Sequence, residues 1–461
     1  MKNGILLLTV VLTILVVVGL GILAFWHFSS HDSSMALSKE TTYLVEPLDE
    51  RGVPDYYLAI NQEFGADVSP EKNAVVWLRR AIGLEDIDAK WREGYIDLLG
   101  ADFSSDVESE FVDWHEYSRY DEDQTASMYS AILTRSWSRE QYPEVYQWLA
   151  SCDRHLQLVL TASQQKAYFE PLAVDSTVLP AQKVLRALVA RAMLHCGEED
   201  PMAGWQELLA CHRLMQLAHS ASCWGQLLPY LEVASDVFRA DQVLMRHESL
   251  SASQIQSIRV DVRALGDDTL FVTMLDFTDR CIALDAMLRD SQFQVSVPER
   301  QRAMRMFNRR MDDVVNALSM PTYRERVRLI EKIDAHDRVM FKQDAGDFGS
   351  AEGMFAYYSC PVFSFWVYYH ERHAVMRRLI EVALALEAYS RQETRFPAGL
   401  AELVPAYLGS VPADPFDGSE LKYVQRDRGY VLYSVGHNGI TDGEPSEEEE
   451  KESDDIVIMR E

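Results

Sequence analysis

The chain has 461 residues, of which 48% are hydrophobic and 25% charged, and its formal net charge is −28. That composition excludes wholesale disorder and collagen-like repetition, and the length suffices for a sizeable core. A chain this acidic lacks the basic face that phosphates demand, so nucleic acid is not an expected partner.

Residues 4–26 form one apolar run without a charge. At a helical rise of about 1.5 Å per residue it crosses a hydrocarbon core of about 30 Å. It is longer than the apolar part of a signal peptide and exits through Phe25, Trp26 and His27 without a small-x-small site. A retained anchor is therefore expected over residues 1–26, including the short cytoplasmic tip. Lys2 precedes the span, and the first firm cation after it is Lys39, so the bulk of the chain is expected on the extracytoplasmic side. The polar text of 27–45 reads as a juxtamembrane linker.

Residues 46–364 read as a helical bundle or irregular solenoid. The segment 73–83 carries Val75, Leu78 and Ile82 on one face, with Ser69 and Pro70 as a start signal. Helices are expected over 141–163, 180–195, 202–219, 223–246, 252–265, 268–291 and 298–319. Short breakers between them imply antiparallel neighbours. Cys211 and Cys223 are expected on one helix, too far apart to bridge. Cys152, Cys196, Cys281 and Cys360 are scattered like small buried hydrophobes, although Cys196 and Cys211 flank a turn across which they could meet.

The text changes after Pro361. Val375, Leu379, Val382, Leu386 and Tyr389 trace a narrow apolar stripe on a long helix. Runs at 421–425 and 430–435 around Arg-Asp-Arg-Gly read as a hairpin, followed by an acidic loop and a last β-like run at 456–459. The expected fold class is mainly α, with an N-terminal transmembrane helix, a large helical region and a small α+β unit over 365–461.

Candidate chemistry was weighed along the chain. His370 and His373 stand three apart on one helix, but without the H-E-x-x-H order a solvated face is expected. His212 and His219, one heptad apart, read as packing residues. Asp276, Asp279 and Asp285, with Arg280 four beyond Asp276, read as a solvated face with local ion pairs. Arg300, Arg302, Arg305, Arg309 and Arg310 form a basic cluster that either is solvated or docks on an acidic partner or on the chain's own acidic tail. The sequence contains no Walker A loop, no strand-borne G-x-G-x-x-G and no G-x-S-x-G elbow.

The order of motifs in 365–461 carries a resemblance. A long helix, FPAGLAELVPAYL, DPFDG, YVLYSVGHNG and a terminal DDI resemble the periplasmic domain of the type II secretion major pseudopilins. The chain departs from that family in placing its apolar span more than 300 residues upstream and in lacking the processing site and glutamate. The middle segments, such as 69–83 and 205–218, resemble large membrane-anchored bacterial envelope proteins of no assigned function. The pseudopilin resemblance implies a calcium ion in the last loop, with Asn438, Asp442 and Asp455 as ligands and Asp454 in reserve. A neutral Asn438 and a lengthened loop imply weak affinity, about 10⁻⁴–10⁻³ M.

The expected function is that of an inner-membrane-anchored, single-pass envelope protein acting by protein–protein interaction, linked to type II secretion-like or pilus-like machinery. The alternative is an envelope hydrolase with a site in the helical region.

Overall fold

The computed structural model describes residues 35–103, 111–173, 178–266, 272–344, 346–359, 363–441 and 454–460. The expected span over 4–26 lies outside them. Among the described residues no helix is long and apolar enough to cross a membrane.

The fold is mainly helical, with a small C-terminal antiparallel sheet. In chain order the helices are α1 (Tyr56–Gly65), α2 (Ala74–Ile82), α3 (Ala89–Leu99), α4 (Trp114–Tyr117), α5 (Glu122–Thr134), α6 (Pro143–Ser151), α7 (Asp153–Ser163), α8 (Ala181–Gly197), α9 (Pro201–Ala218), α10 (Trp224–Met245) and α11 (Ala252–Ala264). A π-helical turn, Met274–Asp279, leads into α12 (Arg280–Arg289). Then come α13 (Val297–Leu318), α14 (Tyr323–Asp344), α15 (Ala351–Tyr358) and α16 (Phe363–Glu393). The sheet orders β1 (Lys422–Gln425), β2 (Tyr430–Ser434) and β3 (Ile456–Arg460) with β2 in the centre.

Local chemistry sets most boundaries. Pro201 opens α9 behind Asp200, whose side chain accepts the Ala203 N–H, and a Ser251/Gln254 capping box opens α11. The Ser-Pro signal at 69–70 belongs instead to a short 3-10 turn, Pro70–Lys72. Asn73 caps α2 by accepting the Val75 N–H at 3.1 Å. The stretch 141–163 is two helices. Cys152 (φ −93°, ψ 0°) separates them, and its N–H is shared between the Trp148 and Leu149 carbonyls. Cys211 and Cys223 lie on different elements, because α9 ends at Ala218 and Cys223 caps α10. The five cysteines of the described residues are buried free thiols.

The described part of the expected linker, 35–45, is tied to the helices. Thr41 and Thr42 are buried; the Thr42 carbonyl accepts the Tyr56 hydroxyl at 2.6 Å, and the Thr41 carbonyl accepts the Asn308 amide at 2.8 Å. This pins the first described turn to α1 and α13.

The apolar stripe of α16 is broader than the spacing suggested. From Leu379 to Tyr389 only Glu381 escapes burial, because the helix is covered by α10, α11 and α14 as well as by β2 and β3. A helix covered on several sides needs apolar residues all round. The hydrophobic core therefore runs without a break from Tyr56 to Ile458. Polar ties follow the same route. Arg263 of α11 reaches Glu381 at 3.0 Å and the Tyr407 carbonyl at 2.7 Å, and Arg246 of α10 donates to the Met459 carbonyl on β3.

Candidate functional site

The richest assembly of polar side chains lies where α14, α16 and the loops beside the sheet meet. The start of α14 is fixed by a reciprocal cap: the Thr322 hydroxyl donates to Glu325 at 2.7 Å, and the Glu325 N–H returns to it at 3.3 Å. From there Arg326 reaches Glu371 of α16, while Tyr323 reaches His437 and Arg324 the Gly439 carbonyl. The opposite wall is the Asp414-Pro415-Phe416-Asp417-Gly418 loop. Asp414 is fully buried and accepts the Phe416 N–H at 3.0 Å and the Val435 N–H at 2.9 Å, which ties the loop to the end of β2.

Between these walls lies a cavity of about 460 Å³, which also exposes His370, Glu371, Arg377 and Arg378 of α16. Arg326 pairs with Glu371, both buried, and donates to the Met320 carbonyl at 3.1 Å. Neutral acceptors also serve the other guanidinium groups. Arg324 donates to the Gly439 carbonyl at 3.3 Å, Arg377 to Gln216 at 2.9 Å and Arg378 to the Ala413 carbonyl at 2.7 Å. Burial would raise the Asp417 pKa. The Ser419 hydroxyl and N–H, with Lys422 and Arg324 nearby, outweigh it and hold the carboxyl below its ordinary value. Arg324, Arg326, Arg377 and Arg378 thus share the cavity lining with the carboxylates of Glu371, Asp414 and Asp417, a small cationic excess within an acidic chain.

The histidines on α16 are not solvated. His370 and His373 are only 5% and 4% exposed, and both face His219, at ring separations of 6.0 and 5.6 Å. The i,i+3 spacing was visible in the sequence, but the cover supplied by the end of α9 was not. His219 donates from Nδ1 to the Met215 carbonyl at 2.8 Å. His212 is buried against Asp241, with Nε2 3.0 Å from Oδ2, as a packing residue.

The three aspartates around the π turn also depart from a solvated face. Asp276 does pair with Arg280 at 2.5 Å, as the i,i+4 spacing predicts. Asp285 is buried against Arg289 at 2.6 Å, and burial raises its pKa to about 6. Asp279 has a buried oxygen without a hydrogen-bond partner, and burial raises its pKa to about 7. The basic cluster on α13 divides. Arg310 is buried on Asp337 at 2.5 Å, Arg300 bonds the Phe293 carbonyl at 3.1 Å, and Arg302 pairs with Glu352. Arg305 and Arg309 line a separate cavity.

Of the expected calcium ligands, Asn438 and Asp455 lie among the described residues and Asp442 lies outside them. The Asn438 side-chain oxygen accepts the Ile440 N–H at 2.7 Å, and its backbone N–H donates to Asp454 Oδ2 at 2.7 Å. Asp454 Oδ1 is buried without a hydrogen bond. Gly436 (φ 63°) makes this closure possible, because a Cβ there would meet the Asp454 carbonyl oxygen at 2.2 Å. Among the described residues no group of three or more His, Cys, Asp or Glu is arranged to hold a metal. The loop end therefore offers a spare carboxylate oxygen, while the Asn438 oxygen already serves the backbone.

No protein-family model matches the chain, and no curated protein or solved structure matches it either. The likeness of 365–461 to a pseudopilin domain stands on the order and spacing of its motifs.

Proposed function

We propose that the protein is an envelope protein that works by binding another protein, and that the cavity between α14, α16 and the 414–418 loop receives a carboxylate-bearing segment of that partner. The observation that supports this reading is the convergence of Arg324, Arg377 and Arg378 on one cavity, where hydrogen bonds to the Gly439 carbonyl, Gln216 and the Ala413 carbonyl hold the guanidinium groups in place. Fork-shaped donors held in place lose little entropy on taking up a carboxylate. In this reading residues 4–26 anchor the chain in the inner membrane with the bulk on the periplasmic side. The pseudopilin-like unit then presents the cavity to secretion-like or pilus-like machinery. Calcium binds weakly at the loop end through Asp454, Asp455 and Asp442.

A photo-crosslinking residue at Ala413, which lines the cavity, tests the proposal in intact cells, with exposed Val260 as the control position. The expected result is an adduct at 413 that is absent at 260. Arg324→Glu/Arg378→Glu should abolish it, and an added acidic peptide should reduce it. Equal labelling at the two positions, or an adduct indifferent to the charge reversal, overturns the reading.

A second reading, a hydrolase, is favoured by one feature of the helical region. A cavity of about 410 Å³ contains Asp153, Arg191, His195 and Glu207. Arg191 bridges Asp153 at 2.9 Å and Glu207 at 3.0 Å, and burial raises the Glu207 pKa and lowers that of His195. Hydrolysis of model esters or glycosides that is lost in Glu207→Gln would support it.

A further inference from the structure

A second cavity, of about 400 Å³, is lined by Lys39, Glu40, Tyr43, Arg280, Arg305, Asn308, Arg309 and Asp312. Its cations differ in how they are used. Arg280, 1% exposed, is committed: it pairs with Asp276 at 2.5 Å and Asp312 at 2.8 Å and stacks over Tyr43 at 4.6 Å. Lys39, Arg305 and Arg309 make no ion pair or hydrogen bond among the described residues. Such idleness is unexpected here, because Asp and Glu outnumber Lys and Arg by 72 to 44. Arg305 and Arg309 are also spaced i,i+4 on α13, where like charges repel.

These cations are carried on fixed backbone. Asn308, 4% exposed, donates its amide to the Glu40 and Thr41 carbonyls at 3.1 and 2.8 Å, which fastens the turn bearing Lys39 onto α13 beside Arg305 and Arg309. Asp312 is spent on Arg280, so Glu40 is the one remaining carboxylate of the lining against Lys39, Arg305 and Arg309, which leaves a positive excess facing the cavity.

We propose that this cavity binds a phosphate ester, with Arg305, Arg309 and Lys39 as its donors. A phosphate dianion offers three oxygens to donors arriving from separate elements, where a planar carboxylate offers two. The volume exceeds a bare phosphate and leaves room for the esterified group. Two sources share this chemistry, a soluble phosphate monoester and a lipid headgroup that ends in a phosphate monoester, as in phosphatidic acid. Lys39 follows the apolar run 4–26 by thirteen residues, so it lies within about 45 Å of the end of that run, at no more than about 3.5 Å per residue.

The test uses the full chain and reads the acylation rate of the Lys39 amine by peptide mass spectrometry. In non-ionic detergent, inorganic phosphate at about 10 mM should slow acylation about tenfold, as for a dissociation constant of about 1 mM. Chloride at matched ionic strength should not. Alternatively, phosphatidic acid nanodiscs should protect Lys39 where phosphatidylcholine nanodiscs do not. Protection by phosphate identifies a soluble ester as the source, and protection confined to the anionic nanodisc identifies a headgroup. Arg305→Gln/Arg309→Gln should remove the protection while keeping the melting temperature, since neither side chain has a partner to lose. Absence of protection in both settings, or equal protection in the double variant, overturns the proposal.

Discussion

The two halves of α16 are buried to different extents and with different residues. From Leu379 to Tyr389 the helix is apolar apart from Glu381 and the buried Glu387, which lies 3.4 Å from Arg460 of β3, and α10, α11 and the sheet pack on α16. From Phe363 to Arg378 it buries His370, Glu371 and His373, with Arg326 and His219 brought to them by α14 and the end of α9. The first half contributes stability through area removed from water. The second carries charges whose burial is tolerated only because partners are placed opposite, and such groups specify geometry more than they stabilise it.

The contrast is sharpest under truncation. Removing Glu371 strands a buried guanidinium, so Glu371→Ala should cost about 3–5 kcal/mol in urea unfolding. Replacing the pair together, as Arg326→Met/Glu371→Leu, should recover most of that loss. A double variant no better than the single one would show that the pair itself stabilises the fold. In the apolar half, Leu379→Ala should cost about 2–5 kcal/mol through the lost transfer energy and the cavity left behind. An unchanged denaturation midpoint would mean that the enclosure of this half is wrong.

A smaller effect of opposite sign is expected at the π turn, where burial raises Asp279 to a pKa of about 7. The folded state then holds a proton that the unfolded state has released above about pH 4. Stability contributed by this group therefore falls as pH rises from about 4 to 7. Asp279→Asn should flatten that slope and stabilise the protein by about 2 kcal/mol at pH 8. A melting temperature at pH 8 no higher than the parent's would refute the assignment.

The smallest effect concerns the segment that follows α16. Donation from the Tyr389 hydroxyl, then from Arg395 and the Ala398 N–H, holds the exposed Glu402 carboxyl at about 2. Tyr389→Phe should move its NMR titration upward toward the ordinary carboxylate range. An unmoved titration would mean that the Tyr389 hydroxyl is not what lowers it.

Apolar periodicity, capping residues and β-branched runs act over a few residues, so they were legible in the chain. They placed α8 to α11, α13 and the hairpin of β1 and β2 within a few residues, and the Val375–Tyr389 part of the longer α16. Where the sequence misled, a distant partner stands at the point of departure: Val112, whose carbonyl accepts the Cys152 thiol at 3.7 Å, and Phe169, whose backbone exchanges hydrogen bonds with the Asn73 side chain. Cys152 divides a stretch of continuous helical pattern, and Asn73 takes over as cap where the Ser69-Pro70 signal pointed.

The candidate site was less legible. His370, His373 and the α13 arginines were noticed, but their meaning depended on partners far along the chain: His219 for the histidines, and for the cavity beside Arg305 and Arg309, Lys39. Arg324, Arg377 and Arg378 were not singled out, and arginines on helices usually mark solvated faces. The sequence by itself determined the helical class, the C-terminal hairpin, the apolar run at 4–26 and the acidic balance, all of which follow from local composition and spacing. Only the tertiary structure decided which charges are buried, which are paired and which are left facing a cavity, because a charge's fate depends on what lies within a few ångströms and not on its neighbours in sequence.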